Sequence, residues 1–152
     1  MLNFLKHYVI HKWFVFWYML DFCGWVMWRA VTHDLSKLSK AEMSSFIALS
    51  RNDQLKDQKY GSPEYKKEIE KYRGVIDVHY KNNRHHPQHF EFGVGQMTIV
   101  DIIEMVCDWE AAGKRTKGGN LKDSIEHNAD RFNIPSLFVD MVRRTFLNRE
   151  GY

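Results

Sequence analysis

No stretch of this chain alternates apolar and polar residues as a half-buried β-strand does, and this limits the possible fold more than any other feature. Apolar residues recur instead at helical spacing through most of the 152 residues. Helix starts are also recognisable, because Ser39-Lys40-Ala41-Glu42 has the capping-box pattern and Pro63 follows Ser62 at a first helical position. The sequence therefore predicts an all-α fold, a helical bundle that forms a single domain over residues 1–152.

The predicted helices cover residues 3–22, 25–32, 39–50, 63–82, 98–112, 121–131 and 135–148. Gly24 is expected to bend the chain between the first two helices, since glycine is favoured where a helix ends. The segments 51–61, 84–96 and 113–120 are polar or contain glycine, and we predict that they connect the other helices.

Residues 13–28 form the most apolar and aromatic run of the sequence. A membrane-spanning helix needs roughly 20 apolar residues, whereas this run is shorter and contains an aspartate. We therefore expect a buried core helix and no transmembrane segment. The alternative is a surface formed by Trp13, Phe14, Trp17 and Tyr18 that contacts a membrane or makes a homo-oligomer.

Charge and cysteine content restrict the partners and the compartment. The formal net charge is +3 and the pI is about 8.8. This mild excess of positive charge suits a small anionic substrate but is too low to indicate nucleic-acid binding. Cys23 and Cys107 lie in apolar segments and belong to no CxxC pair, so we expect buried, reduced thiols in a cytoplasmic protein.

The first candidate metal-binding motif is His33-Asp34-Leu35-Ser36-Lys37. An imidazole beside a carboxylate can hold a hard or borderline metal ion. His7 and His11 are separated by one helical turn, so both side chains share a face of the first helix. If the chain reverses at Gly24, His11 can approach His33 and contribute to the same site.

A second group of histidines lies at the end of the helix predicted over residues 63–82. His79, Asn83 and His86 are separated by four and three residues, which places them on a common helical face, and His85 is adjacent. We predict that His79 binds a metal together with His85 or His86.

The remaining histidines are weaker candidates. His89 and Glu91 are expected to support the ligands or to lie at the surface. His127 is the one histidine of an amphipathic helix, and we expect it to be structural.

Three acidic residues lie on one stripe of the helix predicted over residues 98–112, namely Asp101, Glu104 and Asp108. Carboxylates among apolar side chains are costly to bury without partners. Either this stripe faces solvent, or Asp108 binds a metal while Glu104 or Asp101 orients a histidine.

These residues resemble the HD superfamily of metal-dependent phosphohydrolases. His11, His33-Asp34 and Asp108 match in kind and order the histidine, the HD pair and the distant aspartate of that superfamily. The pentapeptide HDLSK is similar to its HD-[IL]-[GS]-K motif, in which the lysine reaches a substrate phosphate. The segment Cys107-Asp108-Trp109-Glu110-Ala111-Ala112 looks like its final metal aspartate followed by small residues.

The additional histidines resemble those of the binuclear branch, which includes HD-GYP phosphodiesterases and mixed-valent di-iron oxygenases. No GYP sequence follows His85-His86, so specificity for cyclic dinucleotides is not supported. The chain also resembles an uncharacterised family of small bacterial and phage proteins. That likeness rests on His11-Lys12, HDLSK, Asn83-Arg84-His85-His86-Pro87 and the segment from Glu104-Met105 to Asp108-Trp109.

The resemblance implies a phosphohydrolase of small phosphoesters such as nucleotides, with one or two divalent ions (Fe, Mn, Zn, Mg or Co) that activate water. The candidate metal ligands are His11, His33, Asp34, His79, His85, His86 and Asp108. The candidate catalytic residues are Asp34, Lys37 and Glu104. The candidate substrate-binding residues are Lys37, Arg84, Lys114 and Arg115.

Two other functions are compatible with the same residues. One is a di-iron oxygenase of the HD fold, since six ligands of this kind also describe such enzymes. The other is a helical binding module without catalytic activity, in which a metal closed off by protein ligands holds the helices together.

Overall fold

A computed structural model describes residues 1–58, 62–115 and 118–148. In these ranges the regular structure consists of α-helices and short 3₁₀ turns, and no residue is in a β-strand. The predicted all-α fold is therefore confirmed. The chain forms two compact units, residues 1–33 and the residues from Asp34 onward. A single domain over residues 1–152 stays a prediction.

The first unit is one continuous helix, α1, over Leu2–Thr32. The predicted bend at Gly24 is wrong, because α1 runs through this residue without interruption. Glycine costs only about 1 kcal/mol in a helix interior, which the helix-forming residues on either side outweigh. A Cβ at Gly24 would meet no heavy atom within 4 Å, so no close approach requires glycine there.

The burial predicted for residues 13–28 is also wrong. No residue of α1 is buried, and Tyr18 and Trp28 remain 72% and 64% exposed. Apolar density shows that side chains gain by leaving water, but it does not show which partner covers them. Cys23 and Cys107 are likewise exposed rather than buried. Among the described residues, no helix is both long enough and apolar enough to cross a membrane.

The second unit contains seven α-helices within its described residues: α2 (Met43–Ser50), α3 (Asp53–Asp57), α4 (Pro63–Ile69), α5 (Arg73–Asn82), α6 (Ile99–Arg115), α7 (Leu121–Arg131) and α8 (Ser136–Leu147). Short 3₁₀ turns occupy Leu35–Leu38, Glu70–Tyr72, Pro87–His89 and Gly93–Gln96.

Two predicted segments differ in their secondary structure. The predicted loop 51–61 contains α3, which begins where the Asn52 side chain accepts a hydrogen bond from the Leu55 amide. This cap satisfies an amide that has no partner within the helix. Residues 59–61 of the predicted loop lie outside the described residues. The predicted helix 63–82 is divided by the turn Glu70–Tyr72, just before Gly74, which has low helix propensity.

The capping box predicted at Ser39 and Glu42 is wrong. The helix that follows, α2, starts at Met43 with no side-chain cap. Glu42 is instead fully buried and bonds to residues distant in sequence. A local capping bond is weaker than the network that a buried carboxylate needs, so tertiary contacts decide the position of this side chain.

The apolar core of the second unit lies where α6, α7 and α8 meet. Met105, Ile125 and Val139 are buried there, around a small apolar cavity of about 20 Å³. The helix α6 ends later than predicted, because it continues to Arg115 rather than ending near residue 112. Residues 116 and 117 of the predicted connection 113–120 lie outside the described residues. The packed helices fix α6, which also carries the acidic stripe.

Candidate metal centre

Asp34 lies in a tight turn that directs its carboxylate toward three histidines. Its φ of 58° is in the left-handed region, which aspartate tolerates better than most residues. The 3₁₀ turn Leu35–Leu38 follows at once and brings Lys37 back, so that its ammonium pairs with Asp34 Oδ2. The other oxygen, Oδ1, faces the imidazoles of His79 and His85.

Four side chains from distant parts of the sequence converge at this point. Asp34 Oδ1 is 3.2 Å from His79 Nε2 and 3.5 Å from His85 Nε2. The His86 ring is 4.0 Å from the ring of His85 and 4.9 Å from that of His79, between centroids. One ligand atom from each of these four residues lies within 4.8 Å of all the others. We call Asp34, His79, His85 and His86 the Asp–His₃ cluster.

Two glutamates contact the outer nitrogens of the cluster. Glu42 Oε2 is 2.9 Å from His79 Nδ1, and Glu104 Oε1 is 3.1 Å from His85 Nδ1. In both histidines Nδ1 therefore faces a glutamate while Nε2 faces Asp34. Metal-binding histidines commonly have this arrangement, in which a carboxylate fixes the ring from behind.

Glu42 is the centre of a buried polar network. Ser36 Oγ donates to its Oε2 at 2.9 Å, and Asn82 Nδ2 donates to its Oε1 at 2.9 Å. Burial raises the pKa of Glu42, but the hydrogen bonds from Asn82, His79 and Ser36 outweigh this effect and hold the pKa below its usual value. Glu42 thus contributes negative charge next to His79.

His86 is an uncharged imidazole at neutral pH. Burial first, and then the neighbouring His85 and His79, lower its pKa to about 3, against the opposite effect of Asp108 and Asp34. Its Nε2 is buried and has no hydrogen-bond partner among the described residues. A neutral imidazole has one nitrogen with a lone pair, as metal binding requires.

The donor set fits a divalent transition metal. Three imidazoles and one carboxylate suit borderline ions such as Zn, Fe or Mn better than Mg, which prefers oxygen ligands. The carboxylates of Asp34, Glu42 and Glu104 surround the imidazoles, and the ammonium of Lys37 offsets only part of their charge. A bound cation would balance the remaining negative charge, so the charge of the site and its ligand types both suit a divalent metal ion.

The predicted substrate-binding cations have different surroundings. Lys37 pairs with Asp34, and its ammonium also lies 5.1 Å from the centre of the Phe46 ring. Arg84 Nη2 is 3.0 Å from Oδ2 of the fully buried Asp101, so this guanidinium holds the start of α6. The other two candidates, Lys114 and Arg115, are exposed in the last turn of α6.

The acidic stripe of α6 does not face solvent. Asp101 is fully buried and Glu104 contacts His85. Asp108, one turn after Glu104, is half-buried, and its charge acts on His86. The stripe therefore points toward the Asp–His₃ cluster, where Glu104 lies as a residue that orients a histidine would.

The remaining candidates lie in α1 or at the edge of the second unit. His7 and His11 are exposed on α1, and His33 ends that helix directly before Asp34. Metal binding by His11 and His33 stays a prediction. His89 is half-buried in the turn Pro87–His89, while Glu91 and the α7 residue His127 are exposed.

The residue that the sequence analysis missed is Glu42. Its partner His79 is 37 positions away in the sequence, so no local pattern relates the two. The serine three residues before Glu42 suggested a capping box, which accounted for the glutamate locally. Ser36, inside the HDLSK pentapeptide, also belongs to the Glu42 network and was not predicted to do so.

The described residues thus define an all-α protein with a cluster of histidines and carboxylates in its second unit. The chain belongs to a family of unknown function, DUF5662, whose model matches residues 1–146. No curated protein and no solved structure matches the chain.

Proposed function

We propose that this protein is a metal-dependent phosphohydrolase that acts on a small phosphoester, such as a nucleotide. The observation that carries the proposal is the convergence of the four ligand atoms of the Asp–His₃ cluster. The resemblance of HDLSK to the HD superfamily motif supports phosphoester hydrolysis over other reactions of metal-bound water. The net charge of +3 is compatible with an anionic substrate.

The Asp–His₃ cluster would hold one divalent ion, and Asp108 is a candidate ligand of a second. When bound, such an ion lowers the pKa of a bound water and polarises a phosphoryl oxygen. Glu42 and Glu104 would keep the imidazoles of His79 and His85 in place. Aromatic contacts support these rings, since Phe46 packs edge-on against His79 and Tyr80 lies against His86.

Lys37 is the cation closest to the cluster among the candidates. Its side chain is 37% exposed, and its ammonium pairs with Asp34. An incoming phosphoester can therefore compete with Asp34 for this ammonium. Arg84 is engaged by Asp101, so we propose that it acts on the substrate less directly than Lys37.

The test is a metal analysis of purified protein together with a screen of nucleotide and other phosphoester substrates. We expect bound transition metal in the wild type and hydrolysis of at least one phosphoester. The variants His79→Ala and His85→Ala each remove a ligand and should lose the metal and the activity. The matched control is His127→Ala, which removes an exposed imidazole from α7 and should retain both.

Two outcomes would overturn the proposal. Full metal content in both His79→Ala and His85→Ala would rule out the Asp–His₃ cluster as the site. A fully loaded wild type that hydrolyses no phosphoester of a broad panel would rule out the reaction. In that case iron near two per chain with consumption of oxygen would favour the oxygenase, and a metal without any turnover would favour the binding module.

A further inference from the structure

Glu42 has no part in the resemblance to the HD superfamily, yet its carboxylate contacts three side chains beside the Asp–His₃ cluster. It is 0% exposed. Ser36 Oγ and His79 Nδ1 are both 2.9 Å from Oε2, and Asn82 Nδ2 is 2.9 Å from Oε1. These contacts come from two elements, the 3₁₀ turn Leu35–Leu38 and α5, so the carboxylate is held in one position.

The contact between Glu42 and His79 determines which ring nitrogen carries hydrogen. An ionised carboxylate only accepts hydrogen bonds, so Nδ1 of His79 donates to it. Asn83 Nδ2 also lies 3.0 Å from this nitrogen, but its two hydrogens are donated to the His79 carbonyl oxygen and to Ser36 Oγ. In a neutral imidazole the lone pair then lies on Nε2, the atom 3.2 Å from Asp34 Oδ1. The same logic applies to His85, whose Nδ1 faces Glu104.

The network also fixes the direction in which the imidazole points. Asn83 Nδ2 donates to the carbonyl oxygen of His79 at 2.8 Å and to Ser36 Oγ at 2.7 Å. The end of α5 is thereby tied to the turn that carries Asp34 and Lys37. The backbone and the outer nitrogen of His79 are thus both fastened, and the ring has little freedom to turn away.

We propose that Glu42 is a positioning residue, which holds the His79 ring in the Nδ1–H tautomer and directs its Nε2 lone pair toward the position where Asp34 Oδ1 and the other ligand atoms of the cluster converge. The inference rests on the proposed metal site, because an Nε2 lone pair held in one direction is what a histidine needs in order to bind a metal ion there. Ser36 and Asn82 complete the arrangement, since they donate hydrogen bonds to the Glu42 carboxylate and hold it in position against His79.

The test compares Glu42→Gln with Glu68→Gln by Co²⁺ titration and by the Co²⁺ absorption spectrum. Glutamine preserves the volume but removes the charge and can present its amide nitrogen to His79. We expect Co²⁺ affinity to fall about 10–100-fold, with a changed spectrum, as for other carboxylates behind metal-binding histidines. Glu68, bonded to Asn52 and Lys71, is the matched control and should leave both unchanged.

A second measurement keeps the test independent of the metal. Nitrogen NMR of the metal-free wild type should show His79 protonated on Nδ1, and Glu42→Gln should lose this preference. If Glu42→Gln does not fold, Ser36→Ala loosens the same carboxylate and should weaken Co²⁺ binding by a smaller factor. Wild-type affinity and spectrum in the folded variant, or an Nε2–H tautomer in the wild type, would overturn the inference.

These outcomes separate the inference from the proposed function. A wild type that binds no transition metal contradicts the proposed function, while the tautomer of His79 still decides the role of Glu42. A wild type that binds metal and shows the Nδ1–H tautomer, together with a weakened Glu42→Gln, supports both.

Discussion

The two oxygens of Asp34 have different neighbours. Oδ2 pairs with the Lys37 ammonium, which arrives from the next turn of the chain, whereas Oδ1 faces the Nε2 atoms of His79 and His85. The Asp34 carboxylate therefore contacts a cation three residues along the chain and two histidines that only the tertiary fold brings near. The ammonium of Lys37 partly neutralises the Asp34 carboxylate. A phosphate bound by Lys37 would remove this neutralisation, so the carboxylate would present its full negative charge to a metal bound at the cluster.

The pair formed by Arg84 and Asp101 is expected to be a main determinant of stability. Asp101 is fully buried, and its Oδ2 accepts hydrogen bonds from the amide and the hydroxyl of Thr98 at 2.9 and 2.8 Å. Asp101→Ala removes this cap and the partner of the guanidinium, which should lower the free energy of unfolding by about 2–3 kcal/mol. Urea unfolding followed by circular dichroism measures the change.

The control for that measurement is Asp140→Ala. Asp140 pairs with Arg143, but its side chain is 53% exposed, so we expect a change below about 0.5 kcal/mol. Equal losses of the free energy of unfolding in the two variants would show that the burial of Asp101 does not increase the stability that its ion pair contributes.

At the level of elements, the helices of the second unit are short and their ends are tightly connected. The junction between α6 and α7 shows this most clearly, because the backbones of Gly113 and Gly119 approach each other closely. A Cβ placed on Gly119 would lie 2.5 Å from the Gly113 carbonyl oxygen and 3.1 Å from the Gly113 Cα. Backbone atoms cannot move aside as a flexible side chain can.

Gly119→Ala should therefore destabilise the protein. Relief of the contact requires α6 and α7 to shift apart, at an expected cost of about 1–3 kcal/mol. The midpoint of thermal or urea unfolding reports the loss. Gly95→Ala serves as the control, since its Cβ would meet no heavy atom within 4 Å. Matching midpoints for the two variants would mean that the close approach does not constrain the junction.

For the whole molecule, a metal that joins Asp34 to His79, His85 and His86 would connect three separate parts of the second unit. Binding to the folded state alone should stabilise it, by about 2.7 kcal/mol when the free metal is 100 times the Kd. Unfolding midpoints measured with metal and with a chelator give this difference directly. His79→Ala should show no such dependence, and a wild type with the same midpoint in both conditions would contradict the proposed site.

Much of the second unit was predictable because its signals are local. Periodicity alone indicated an all-α chain, and α7 has the predicted bounds Leu121–Arg131. The rings of His79 and His86 do contact each other, but the predicted common helical face is wrong, because α5 ends at Asn82 and His86 lies beyond it in extended backbone. Several predictions that failed depended on partners: the burial of residues 13–28, the burial of the two cysteines and the capping role of Glu42. The bend at Gly24 and the loop 51–61 failed for local reasons, namely the small cost of glycine in a helix and the side-chain cap at Asn52.

The sequence by itself determined the helical class and the presence of many nitrogen and oxygen donors, because periodicity and residue type can be read from a few neighbouring residues. Only the tertiary structure decided that Glu42 faces His79, that Arg84 is held by Asp101 and that Asp34 Oδ1 meets two imidazoles. Each of these contacts joins residues between 17 and 51 positions apart. Their energy comes from pairing charges that burial would otherwise make costly, which no local pattern records.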